Sequence, residues 1–118
     1  MRTVVAAVVA MIISAAMADE LDDAHRLAVA GRNSYWKCLA RQYSRDTNKS
    51  MSGPDFASHL ASVCASERQN FRVALMDYLS MQPPGADAGT PLTTANNAIA
   101  LAQRHIVTAF IRHRDTPK

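Results

Sequence analysis

The sequence predicts an all-α fold: a disulfide-linked antiparallel helical hairpin with a third helix packed against it. Three observations carry this. Apolar residues recur three and four apart over three long segments. No segment shows the apolar–polar alternation of a half-buried strand. The two cysteines, Cys38 and Cys64, fall at similar distances from the polar turn joining the first two segments.

Ahead of those segments stands a leader. Arg2 supplies a positive charge, Val4 to Ala16 is apolar except for Ser14, and Ala16-Met17-Ala18 is followed at once by Asp19-Glu20. This order of charge, apolar run and small-x-small site is that of a secretory signal peptide. The run is shorter than the roughly 20 residues that span a bilayer. Residues 1–18 are therefore predicted as a signal peptide cleaved at about Ala18-Asp19. Residues 19–118 are predicted as a single domain, periplasmic or secreted. No cysteine follows the cleavage site, which argues against a lipid anchor.

The first helix is expected over about 21–45. Its seam is Leu21, Ala24, Ala28, Gly31, Tyr35, Cys38 and Gln42. Glycine costs about 1 kcal/mol relative to alanine inside a helix. Gly31 is thus expected to mark a kink or break, with Asn33 or Ser34 capping a restarted helix. Residues 46–53 are polar and form the turn.

The second helix is expected over about 54–81. Ser52-Gly53 precede it, and Pro54 and Asp55 suit a first turn. Leu60, Cys64, Glu67, Phe71, Ala74, Tyr78 and Met81 form its seam, widened by Phe56, Val63, Leu75 and Leu79. Gln82-Pro83-Pro84-Gly85 ends it, and a linker from Ala86 to Pro91 follows.

The third helix is expected over about 93–112, capped by Thr93 or Thr94. Ala95, Ile99, Ala102, Ile106 and Ala109 make its stripe, with Leu101, Phe110 and Ile111 outside it. The tail from Asp115 to Lys118 is expected to fray.

Two cysteines in an exported chain point to a bridge, because that compartment is oxidising. Helical rise puts Cys38 and Cys64 roughly 10 and 14 Å from the turn, nearly level in an antiparallel hairpin. If 38 faces 64, partners sum to 102. Gly31 then faces Phe71, Ala28 faces Ala74, Ala24 faces Tyr78, Leu21 faces Met81 and Gln42 faces Leu60. Tyr35 falls beside Glu67, an acid in a core seam. That pair is a candidate pH-responsive switch in the seam.

No catalytic, cofactor or metal residues are predicted. The four histidines show no i,i+4 spacing on one helix, and His25 and His59 sit at opposite ends of the hairpin. Met76 and Met81 read as core filler. Thiol redox, haem-attachment and hydrolase motifs are missing. Trp36, Leu39 and Tyr43 lie one step off the seam. They are read as the counter-surface for the third helix, with an exposed interaction surface as the alternative.

Without Arg2, twelve Lys and Arg face ten Asp and Glu, a net charge of +2. Asp19, Glu20, Asp22 and Asp23 crowd the new N-terminus, leaving a basic remainder. So mild an excess reads as a solvated surface, with only weak support for contact with a membrane surface. Seven aromatic residues with no basic interleaving argue against nucleic acid as a partner.

Tyr35-Trp36 with Cys38, and Cys64 with Glu67-Arg68-Gln69 and Phe71, resemble stretches of small exported helical proteins of Gram-negative bacteria. They are also similar, loosely, to the periplasmic acid-stress chaperones, which are small, helical and held by one disulfide. The resemblance covers about a tenth of the chain. Its cysteine separation is shorter than theirs, so their register and dimer interface do not carry over. The expectation from the sequence is a non-catalytic periplasmic or secreted binding protein, its partner another envelope protein. A chaperone-like acid-responsive protein is the alternative, and an enzyme or metal carrier the remaining one.

Overall fold

The computed structural model describes residues 2–83 and 89–115. Residues 86–88 of the expected linker and 116–118 of the expected tail lie outside them. The described residues form four α-helices: α1 (Arg2–Tyr43), α2 (Gly53–Ser62), α3 (Ala65–Ser80) and α4 (Pro91–Asp115). A short 3-10 turn, Asp46–Asn48, lies between α1 and α2. The fold is all-α, with α1 packed against α3 and α4. Among the described residues, no helix is long and apolar enough to cross a membrane.

α1 runs unbroken through Gly31, so the expected kink or restart is not there. The glycine serves close approach instead. A Cβ at Gly31 would lie 3.0 Å from the Phe71 Cα, so the two backbones meet where a side chain is missing. The hairpin register holds where Gly31 faces Phe71, while the ring that meets Tyr78 is that of His25, at 5.0 Å, next to the expected Ala24.

The expected helix 54–81 is two helices. α2 ends at Ser62, Val63 is extended, and Cys64 takes the left-handed conformation at φ 58°, ψ 36° before α3 begins. This is a costly place for a residue with a Cβ. Two interactions hold the break. The Arg68 guanidinium donates to the Ala61 and Val63 carbonyls at 2.8 and 3.1 Å. The Ser62 hydroxyl donates to the His59 carbonyl at 2.9 Å. The gain is in packing: α3 stays on α1 while α2 swings onto α4, stacking Phe56 on Phe110 with ring centroids 3.9 Å apart.

That swing overturns the pairing of Gln42 with Leu60. Gln42 is buried in a polar cluster that closes the turn. Asn48 Nδ2 donates to the Gln42 carbonyl at 2.9 Å, and His59 Nε2 lies 3.1 Å from Gln42 Oε1. Residues 46–53 are therefore a built turn rather than a loose polar loop.

α4 starts two to three residues earlier than expected. The Thr90 hydroxyl accepts from the Thr93 amide at 3.1 Å, and Pro91 takes the first helical position, where a missing N–H is harmless. Its stripe ends on Phe110, nearly fully buried, rather than on Ala109. The core joins Tyr35 and Leu39 of α1, Phe56 and Leu60 of α2, Phe71 of α3, and Ile99, Ala102, Ile106 and Phe110 of α4.

Candidate functional site

Cys38 and Cys64 form the expected disulfide, with S–S 2.06 Å and Cα–Cα 6.1 Å. It ties the C-terminal part of α1 to the residue just before α3. The Glu67 carboxylate lies beside it: one carboxylate oxygen and the two sulfurs fall within 4.8 Å of one another, all three residues partly buried. Among the described residues this is the one grouping of three potential metal-ligating side chains.

Tyr35 and Glu67 do not form the expected pair. The Tyr35 ring has no exposed surface, and its hydroxyl accepts from Gln103 Nε2 of α4 at 3.0 Å. The third helix claims the tyrosine, a competitor that the two-helix register left out. The switch built on that pair thus loses its hydrogen bond.

Trp36, Leu39 and Tyr43 face α4. Leu39 is fully buried, Trp36 packs on His105 with centroids 4.9 Å apart, and Tyr43 packs on His113 at 5.2 Å. They form the counter-surface for the third helix, so the exposed-anchor alternative does not describe them. A pattern appears here that spacing did not announce. Each of the four histidines meets a side chain across a contact between α1 and another helix: His25 with Tyr78, His59 with Gln42, His105 with Trp36 and His113 with Tyr43.

The exposed apolar surface lies elsewhere. The side of the α1–α3 pair away from α4 carries two adjoining hollows of about 530 and 550 Å³, which share Leu27, Ala74 and Asp77. Ala24 and Ala74 are too small to fill the space between the helices. Leu27 and Val73 remain 60% and 48% exposed, and Met81 42%, although Met81 was expected to close the seam against Leu21. The rim is acidic, with Glu20, Asp23, Glu67 and Asp77, and among the described lining residues none is cationic. Asp23 is already engaged by Arg26 at 2.7 Å. Leu27 on α1, and Val73 with Asp77 on α3, sit beside the seam rather than in it, and spacing alone does not tell that this strip is left open.

Comparison with family models, with curated proteins and with solved structures finds no match to this chain. Chemically, the groove can desolvate one apolar helix face and pair cations along its edges.

Proposed function

We propose that this chain is a non-catalytic extracytoplasmic interaction module whose α1–α3 groove receives a cationic amphipathic helix of an envelope partner. The observation that carries the reading is the groove itself: exposed Leu27, Val73 and Met81 framed by Glu20, Glu67 and Asp77. Contiguous exposed apolar surface with a polar rim marks interaction sites. The acidic rim selects a basic occupant and disfavours acidic ones. A helix seated there would cover the open face of the α1–α3 pair, with α4 on the opposite side. The disulfide holds α1 and α3 together beforehand, which lowers the ordering cost of binding.

The extracytoplasmic assignment rests on the leader pattern and the disulfide. Cleavage at Ala18-Asp19 would also leave Asp19, Glu20, Asp22 and Asp23 at the start of α1, where the helix macrodipole favours negative charge. N-terminal sequencing of protein from the envelope should begin at Asp19.

Binding is tested by fluorescence anisotropy with a labelled amphipathic Leu/Lys helix and its Leu/Glu counterpart. The basic helix should bind, more weakly as salt rises. V73K should weaken it about tenfold or more, since one repelled charge at an apolar contact costs over 1.4 kcal/mol. Equal binding of the acidic helix, or an unaffected V73K, would refute the groove. Self-association abolished by V73K would make a second copy the occupant in place of a foreign helix.

A further inference from the structure

We propose that the reduced Cys38–Cys64 pair, together with Glu67, is a binding site for a thiophilic divalent cation of the zinc class, closed by the disulfide and opened by reduction. Two sulfurs and a carboxylate oxygen already lie within 4.8 Å of one another. On a tetrahedral zinc, with Zn–S of about 2.3 Å, two thiolates sit about 3.8 Å apart. Side-chain rotation alone brings the sulfurs from bonded contact to that spacing, since the Cα atoms are already 6.1 Å apart. All three groups are partly buried, so an ion and one water can reach them.

A dithiol reductant gives two electrons and two protons to the S–S bond, becoming a disulfide itself and leaving two protein thiols. A divalent cation then binds both sulfurs and displaces their two protons to solvent, while the Glu67 carboxylate supplies a third ligand. Two thiolates and one carboxylate suit zinc or cadmium and disfavour magnesium and calcium, which take all-oxygen shells. A water in the fourth position leaves the site open, as in three-ligand zinc centres.

The frame around the site does not depend on the S–S bond. Arg68 fixes the α2–α3 break through the Ala61 and Val63 carbonyls, at 2.8 and 3.1 Å. Gly31 against Phe71, and Tyr35 with Gln103, hold α1 against α3 and α4 in the two turns before Cys38.

The test uses full-length protein after leader removal, reduced with a phosphine under argon, and titrated with Cd²⁺ alone. Thiolate-to-metal absorption should grow to one equivalent per chain, and Zn²⁺ should compete for the same site. The oxidised protein should show none. E67Q should keep the absorption but lose more than about tenfold in affinity, the least that even an outer-shell partner's loss costs. Far-UV circular dichroism is recorded throughout. If reduction lowers helicity and the metal restores it, the site is supported. No stoichiometric absorption in the reduced protein, folded or not, or an E67Q affinity equal to wild type, overturns it.

Discussion

The Tyr35 hydroxyl, on a ring with no exposed surface, lies 3.0 Å from Gln103 Nε2, and this one bond ties the hairpin to the third helix at mid-height. Tyr35 is fully buried in the core and Gln103 lies beside the buried stripe of α4. Tyr35→Phe should lower stability by about 0.5–1.5 kcal/mol, and Gln103→Leu by a similar amount. In urea denaturation the double variant should cost less than the two single changes added together. Strict additivity would mean that the bond contributes nothing.

Gly31 and Gly53 offer a matched contrast. A Cβ at either would meet a neighbour at 3.0 Å, but at Gly31 the neighbour is the Phe71 backbone and at Gly53 the tip of the Ile111 side chain. Gly31→Ala gains up to about 1 kcal/mol of helix propensity and should still lose about 1–3 kcal/mol to forced separation of α1 and α3. Gly53→Ala should change stability much less, because Ile111 can rotate away. Equal effects from the two would contradict the backbone approach seen at Gly31.

The disulfide closes a separation of 26 residues, for which the chain-entropy model gives about 3.5 kcal/mol. The double variant C38S/C64S should lose about 2–5 kcal/mol and keep its helical content, since Cys64 only packs on the edge of a core whose buried members are Tyr35, Phe71 and their neighbours. Intact mass should show wild type two hydrogens lighter than its reduced form. Free thiols in oxidised preparations would exclude the bridge.

Lys49 lies 2.9 Å from Asp46 in the turn after α1 and, by hydrogen bond and charge, holds that carboxyl below its ordinary value of 3.8. A carboxylate whose folded pKa is depressed adds stability above its unfolded pKa and loses it as pH falls through the folded one. The window therefore lies below about pH 4. Full exposure keeps the effect small. Carbon-detected NMR titration should place Asp46 below a model carboxyl, and Lys49→Ala should return it. An unchanged titration in Lys49→Ala would remove the pair as the cause.

Much of the architecture was legible because amphipathic periodicity is strong where one face of a helix is buried. The pairing of Gly31 with Phe71 and most of the α4 stripe followed from it, and helical rise set Cys38 level with Cys64. The candidate site was legible only in fragments. Glu67 stood out as an acid in a seam, but its neighbours are the disulfide sulfurs rather than Tyr35. The groove stayed hidden because Leu27 and Val73 sit beside apolar seams, and periodicity cannot say whether another helix covers them.

What the sequence determined by itself was helix type, the cysteine pairing and the pairing of Gly31 with Phe71, since each follows from spacing along one or two helices. Only the tertiary structure decided the break at Cys64, the partner of Tyr35 and the open face of the α1–α3 pair. Those depend on competition among three packed helices. Cys64 takes a left-handed backbone because α2 buries Phe56 and Leu60 toward α4 while α3 stays on α1. The turn at Cys64 lets α2 reach α4 beside α3, which packs on both α1 and α4, and that arrangement exists only once α4 is in place.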